Sequence, residues 1–184
     1  MMDAAEHLFH RHGFGGVSVE DVTSAVGVKK PDLYNHFRDK NDLYIAVRLR
    51  RLNRLEGDLA RVLNVDAGAL DRLTAVVAVL LRHSFFLSAL AQREAEDFLS
   101  AEARDHLFAR AYGGVYRPLT RFLQEAGVPE ARLSLAYEAL IGLTTHFAAA
   151  APPESSPGGL ARAAEDVAAL WWHGAAGLRG DGAE

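Results

Sequence analysis

Helical periodicity runs through almost the whole chain, and it restricts the fold more than any other feature. Apolar residues recur every three or four positions, as they do on the buried face of an α-helix, and Gly or Pro separates one segment from the next. Few segments show the alternation that is typical of strands. Because the chain has 184 residues, of which 49% are hydrophobic, it is long enough and apolar enough to bury a substantial core. The sequence therefore predicts an all-α protein.

Three short helices are predicted within residues 1–47. The first ends at Gly13, which we expect in the left-handed conformation. The second begins at Ser18, whose hydroxyl can cap the helix in a capping box. This helix should bury Val19, Val22 and Val26. Gly27 then supplies a tight turn, and the third helix covers about residues 30–37. Two short helices joined by a glycine turn predict a helix-turn-helix.

The third helix has one apolar face and one polar face. Leu33 and Phe37 are four residues apart and point inward, so the opposite face presents polar side chains to solvent. The inward residues of the whole unit are predicted to be Leu8, Phe9, Phe14, Val22, Ala25, Val28, Leu33, Phe37, Leu43 and Val47. A short polar helix of this kind fits the major groove of DNA, whose width admits one helix.

The charge distribution permits a DNA partner although the whole chain has a net charge of −4. Residues 1–56 carry nine Lys/Arg and eight Asp/Glu, whereas residues 57–184 carry eleven and sixteen. All three lysines, Lys29, Lys30 and Lys40, lie within twelve residues of each other. Phosphate contact depends on local cations rather than on net charge. A solvated surface patch is the alternative interpretation.

Further helices are predicted beyond residue 39. A long fourth helix begins at Lys40, is capped by Asp39 and continues towards Asn64. Its apolar residues Leu52, Leu55, Leu59 and Leu63 should pack against the helices that follow. These are predicted at about residues 69–92, 93–99, 102–126, 130–150 and 160–173. Pro118 should kink one of them, and residues 176–184 are expected to be disordered.

Several other classes of protein find little support. The absence of cysteine excludes disulfides, thiol redox sensing and thiolate metal sites, and it fits a cytoplasmic protein. Within the most apolar stretch, Ala69 to Ala91, the longest uncharged piece is Leu73 to Leu81 with nine residues, whereas a membrane span needs about 20. The pairs His7/His10 and His106/Arg110 lack a third ligand, so we expect no metal site. We also expect no cofactor and no membrane partner. No catalytic triad is recognisable, which argues against an enzyme.

The dense motif pattern of residues 4–47 resembles a known family. The matching residues are Ala4-Ala5, Leu8-Phe9, Gly13-Phe14, Ser18-Val19, Asp21-Val22, Gly27-Val28, Leu33-Tyr34, His36-Phe37, Lys40 and Leu43. Together they look like the signature of the TetR family of bacterial repressors. The resemblance implies a homodimer with two DNA-reading heads, formed here by residues 1–47, and a helical ligand-binding and dimerisation domain, formed here by residues 48–175.

The resemblance also implies roles for individual residues on double-stranded operator DNA. Lys30, Pro31, Asp32 and Asn35 fall at positions that face bases, whereas Tyr34, His36 and Lys40 fall at positions that contact phosphates. Ser18 falls where a hydroxyl caps the second helix and touches the DNA backbone. One position departs from the family pattern: Lys29 stands where Ser or Thr usually caps the recognition helix. This departure weakens the cap or adds a phosphate contact.

The C-terminal part is rich in aromatic residues, most of which are expected to belong to the core and the dimer interface. Some could line an apolar cavity for a small effector. The candidate ligand-binding residues are His83, Phe86, Gln92, Arg93, Phe98, Tyr112, Tyr116, Thr144 and His146. Small residues on the penultimate helix, such as Ala139 and Gly142, suit a four-helix dimer interface.

The sequence predicts a DNA-binding transcriptional regulator, and the preferred form is a repressor that a small, largely apolar ligand releases from its operator. A helical ligand-binding or protein-binding module that does not bind DNA is the alternative. A small helical enzyme is a third hypothesis, without a catalytic constellation to support it.

Overall fold

The structure, a computed structural model, describes residues 1–84, 89–150 and 158–175, without the side chains of residues 89–92. Its α-helices are α1 (Met2–His12), α2 (Val19–Val26), α3 (Lys30–Tyr34), α4 (Lys40–Leu63), α5 (Ala69–Arg82), α6 (Ala89–Phe98), α7 (Ala101–Ala111), α8 (Arg117–Glu125), α9 (Leu133–Ala150) and α10 (Gly159–Gly174). No strand occurs among these residues. The prediction of an all-α fold is confirmed.

Two helices end earlier than their periodicity predicted. α3 stops at Tyr34 because the amides of His36 and Phe37 both donate to the carbonyl of Leu33, which closes the helix with a tight turn. α5 stops at Arg82, ten residues before the predicted end. The apolar pattern continues past Arg82, and periodicity alone does not mark where a helix turns.

A first core holds the head, defined here as α1, α2, α3 and the first half of α4. Its buried residues are Ala5, Phe9, Phe14, Val17, Val22, Leu33, Leu43, Tyr44, Val47, Leu99 and Leu107. Ala25 and Val28, which were predicted to be inside, are exposed. Leu99 and Leu107 come from the region of α6 and α7, so the head core is completed by residues outside positions 1–47.

A second core holds the body, defined here as the second half of α4 together with α5 and α7 to α10. Leu52, Leu55 and Leu59 of α4 are each no more than 1% exposed and belong to the same buried cluster as residues of α5, α8, α9 and α10. In α4, therefore, Leu43 and Val47 contribute to the head core while Leu52 to Leu59 contribute to the body core. One helix of 24 residues joins the two cores.

A π-helical turn lies just before Pro118, the residue at which a kink was predicted. Residues Tyr112–Tyr116 form this turn, and the amide of Arg117 donates to the carbonyl of Tyr112. Pro118 follows in the first turn of α8, where its missing N–H costs little. α7, the π turn and α8 therefore form one helical run.

Among the residues that the structure describes, no helix has the combination of length and apolar character that a membrane span requires.

A buried histidine connects the end of α5 to α4. The side chain of His83 is 8% exposed, and its Nε2 lies 3.0 Å from Oδ2 of Asp58. Burial lowers the pKa of His83 below its ordinary value of 6.5, an effect that the Asp58 carboxylate opposes. The hydrogen bond from His83 in turn lowers the pKa of Asp58. His83 is therefore held neutral in the folded chain near neutral pH.

This arrangement predicts that the free energy of unfolding falls as pH drops below about 6.5. The unfolded chain then takes up a proton on His83 that the folded chain resists, because the folded pKa is the lower of the two. We expect His83→Gln, whose amide can still donate to Asp58, to flatten this dependence. Denaturant unfolding between about pH 7.5 and pH 5.5 measures the effect. Equal pH slopes for the variant and the unmodified chain would contradict it.

Candidate DNA-binding interface

A capping box fixes the start of α2 as the sequence predicted. Ser18 Oγ accepts from the amide of Asp21 at 3.1 Å, and the amide of Ser18 donates to Asp21 Oδ2 at 2.7 Å. Hydrogen bonds from the Ser18 hydroxyl and then its amide lower the pKa of the Asp21 carboxyl. At the other end of α2, Gly27 has φ 71° and ψ 28°, the left-handed conformation that the turn to α3 requires.

The start of α3 is stabilised by a carboxylate instead of a hydroxyl. No side-chain hydrogen bond from Lys29 caps the helix, but Oδ2 of Asp32 accepts from the amide of Lys29 at 2.9 Å. This is the reciprocal half of a capping box. It explains how Lys29 is tolerated where Ser or Thr was expected, because Asp32 satisfies one of the free amides. One oxygen of the exposed Asp32 carboxylate therefore already accepts a hydrogen bond from within the chain.

The outward face of α3 is the polar surface that the sequence predicted. Leu33 is fully buried, whereas the exposed residues around it are Lys29, Lys30, Pro31, Asp32, Tyr34, Asn35 and His36. The side chain of Lys30 forms an ion pair with Glu20 on α2, and both side chains are about half exposed. Glu20 therefore competes with a base or a phosphate for the ammonium group of Lys30, which has three N–H donors.

Lys40 is placed differently from the other candidate residues. Its Nζ donates to the carbonyl oxygens of Phe14 at 2.9 Å and Val17 at 3.0 Å, and it lies 4.0 Å from the centre of the Phe14 ring. An ammonium group has three N–H donors, so two of them are used to join α4 to the α1–α2 loop. A phosphate contact by Lys40 stays a prediction, for which one donor is left.

Arg38 is a cation that the sequence reasoning missed. Its side chain is 87% exposed, and its guanidinium lies 3.5 Å from Oδ1 of Asp42. The amide of Arg38 donates to Asp42 Oδ2, and this bond is the main cause of the lowered pKa of Asp42. Asp39 caps α4 by accepting from the amide of Asp42 at 2.8 Å. The run Arg38-Asp39-Lys40 was the available signal, because a cation directly before a capped helix lies beside its free amides.

The candidate ligand residues do not converge on one site. Tyr112 and Tyr116 stack with ring centres 5.1 Å apart, and Tyr116 meets Tyr137 edge to face at 4.7 Å. Burial raises the pKa of Tyr137 to about 12. His83 directly follows α5 and lies against Asp58 of α4. The tyrosines and His83 thus belong to different surroundings.

The other candidates are dispersed. Phe98 lies in the head, where its ring centre is 4.7 Å from that of Phe14. Thr144 is fully buried, and its hydroxyl donates to the carbonyl of Leu140 in its own helix at 2.7 Å. Arg93 and His146 are exposed. Phe86 and the side chain of Gln92 lie outside the described residues. Among those described, no group of three or more His, Asp or Glu is placed to hold a metal ion.

Comparison with known proteins agrees with this geometry. Residues 1–47 match the family model described as bacterial regulatory proteins, tetR family. Over these residues the chain is similar to the DNA-binding region of the tetR family. Similar curated proteins include the transcriptional activator FasR of Mycolicibacterium smegmatis, 31% identical over 77 residues, and the transcriptional repressor ComR of Escherichia coli, 40% identical over 53 residues. These matches cover 42% and 29% of this chain but only 35% and 25% of those proteins.

Solved structures show the same fold over nearly the whole chain. The TetR-family regulator PfmR of Thermus thermophilus is 21% identical with a TM-score of 0.71, and the match covers 94% of this chain and 96% of PfmR. The ketosteroid regulator KstR2 of Mycobacterium tuberculosis is 19% identical with a TM-score of 0.72, covering 94% and 91%. A structure described as superantigen pfit also shares the fold, with a TM-score of 0.68. The likeness beyond the TetR-type head therefore concerns the fold.

Two variants should separate cations that hold the head together from cations that contact DNA. Lys40→Met leaves the Phe14 and Val17 carbonyls without their donor, so we expect it to lower the free energy of unfolding by about 1–3 kcal/mol. Arg38→Gln should leave stability unchanged and lower the salt slope of DNA binding by about one. Thermal unfolding and DNA titrations at several salt concentrations measure both effects.

The opposite pattern would contradict these assignments. If Lys40→Met keeps its full stability, the Lys40 contacts do not hold the head. If Arg38→Gln keeps the salt slope, Arg38 does not contact phosphate.

Proposed function

We propose that the chain is a DNA-binding transcriptional regulator that binds operator DNA as a homodimer. The exposed polar face of α3 supports this proposal most directly. Leu33 anchors the opposite face of α3 in the head core, where it is fully buried. The exposed residues in and beside α3 include Lys29, Lys30, Asn35 and His36. A helix of this size and polarity fits the major groove.

The exposed side chains suit distinct contacts. Lys30 can donate to guanine, Asn35 can pair with adenine, and Pro31 can contact a thymine methyl group. Tyr34, which is 50% exposed, and His36 lie where they could reach phosphates, as does Arg38 before α4. Glu20 and Asp32 are carboxylates on the same surface. They repel phosphate, so we propose that they weaken the sequence-independent part of DNA binding.

A dimer would present two such faces. α9 and α10 each carry a large apolar side chain that is exposed to solvent: Leu135 on α9 and Leu170 on α10 are both 55% exposed. Ala139 and Gly142 of α9 are exposed as well and permit the close approach of a second helix. We propose that these two helices pair with their copies as a four-helix interface. Two α3 helices would then meet successive major grooves about 34–36 Å apart.

The remaining parts of the proposal concern regulation and location. We propose that residues 1–47 are the DNA-binding domain, that residues 48–175 bind a small, largely apolar ligand, and that the ligand relieves repression in the cytoplasm. The tail 176–184 lies outside the described residues. α4 supports a mechanical link because its two halves belong to the two cores. FasR is named an activator and ComR a repressor, so either sign of regulation occurs among similar heads.

Selection of binding sites from random DNA tests the proposal. We expect a two-fold symmetric motif whose half-sites are centred about 10 base pairs apart or a multiple of that spacing. Lys30→Ala and Asn35→Ala should each relax the preference at particular base pairs, at a cost of about 1–3 kcal/mol for each good contact. Arg121→Gln, an exposed change on α8, is the matched control. Failure to enrich any motif would favour a helical module that does not bind DNA.

A further inference from the structure

A groove rich in arginine lies where α1 meets α4 and the end of α5. It is open to solvent and has a volume of about 440 Å³. Four arginines line it: Arg51, Arg54 and Arg61 from α4, and Arg82 from α5. Their side chains are 20%, 47%, 78% and 53% exposed, so three of them are accessible to a molecule in solvent.

The carboxylates in the groove are too few to balance these cations. Glu6 lies 2.9 Å from Arg51 and 3.2 Å from Arg54, while Asp58 pairs with Arg61 and lies 3.7 Å from Arg82. Asp3, which does not line the groove, also lies 3.7 Å from Arg54. Four guanidinium groups carry about twenty N–H donors, against the four oxygens of two carboxylates. The groove therefore has an excess of positive charge and of donors.

One of the residues that line the groove is a glycine. Gly57 lies in the middle of α4, where glycine weakens a helix relative to alanine. A Cβ atom built at Gly57 would meet no atom within 4 Å, so packing within the protein does not require glycine there. The missing side chain leaves free space among the arginines.

Bound DNA does not account for the groove. α4 begins at Lys40, beside the proposed DNA surface, and rises about 1.5 Å per residue, which puts Arg54 about 21 Å and Arg61 about 31 Å along the helix. A phosphate held near Lys40 is out of reach of these side chains. The occupant is therefore a separate molecule.

We propose that the groove binds a small anion with at least two negative charges, either a phosphate ester or a polycarboxylate. Guanidinium groups bind both through paired hydrogen bonds. Because three of the arginines lie on α4 and the fourth lies on α5, such an anion bridges these two helices. This site is separate from the aromatic side chains of Tyr112, Tyr116 and Tyr137.

Titration of the full chain with pyrophosphate and with citrate, at constant ionic strength and without DNA, tests the site. We expect saturable binding of at least one of them with a dissociation constant below about 1 mM, measured by calorimetry. Arg54→Gln combined with Arg82→Gln should weaken binding by about tenfold or more. Arg121 is an exposed, ion-paired arginine on α8, outside the groove, so Arg121→Gln should leave the dissociation constant unchanged. The anion that binds more tightly identifies the ligand chemistry.

Gly57→Leu separates a binding role from a structural one. Leucine has a higher helix propensity than glycine, so the variant should be at least as stable as the unmodified chain. The added leucine side chain would occupy space inside the groove and should therefore abolish anion binding. Unchanged affinity in Gly57→Leu would overturn the proposal. Absence of saturable binding of either anion, or equal binding by the double arginine variant, would overturn it as well.

Discussion

The ammonium group of Lys40 is the contact on which the geometry of the head depends. It donates to the carbonyls of Phe14 and Val17 and rests on the face of the Phe14 ring. These partners belong to the loop between α1 and α2, whereas Lys40 is the first residue of α4. A charged group held by two carbonyls and an aromatic face forms strong, directional contacts. The single side chain thereby fixes the start of α4 against the loop that leads into the helix-turn-helix.

Phe14 extends the same connection towards the body. Its ring meets those of Phe9, Tyr44 and Phe98, and its amide donates to Glu94 Oε1 at 2.8 Å. The other oxygen of Glu94 accepts from the hydroxyl of Tyr44 at 3.1 Å. α6 therefore contacts both the loop and α4. With Leu99 and Leu107 in the head core, this packing means that the head does not end where its sequence motif ends.

Local features of the head could be predicted from the sequence because they depend on neighbouring residues. The capping box of Ser18 and Asp21, the left-handed Gly27 and the burial of Leu33 all follow from spacing within one or two turns. Contacts between distant segments could not be predicted in this way. The family resemblance assigned Lys40 to phosphate, and nothing in the spacing of Lys40 shows that the Phe14 and Val17 carbonyls, more than twenty residues away, come within hydrogen-bond distance.

The candidate ligand residues show the same limit. An aromatic-rich composition indicates a core or a cavity but does not show which rings meet, and Phe98 proved to pack on Phe14 in the head. Ala25 and Val28 fitted the apolar pattern of the head, yet they are exposed, because Val17, Leu99 and Leu107 fill the core from other directions. Gly57 gave no motif signal, since only the structure shows open space beside it.

Amide hydrogen exchange of Lys40→Met without DNA tests the central claim most directly. If the Lys40 contacts fix the head, protection should fall for the amides of Val17 and of Leu33 to Phe37, while amides of α5 in the body keep theirs. The full chain and Arg38→Gln serve as references for an intact head. Unchanged protection around Val17 and α3 would contradict the account, as would an equal loss of protection in α5.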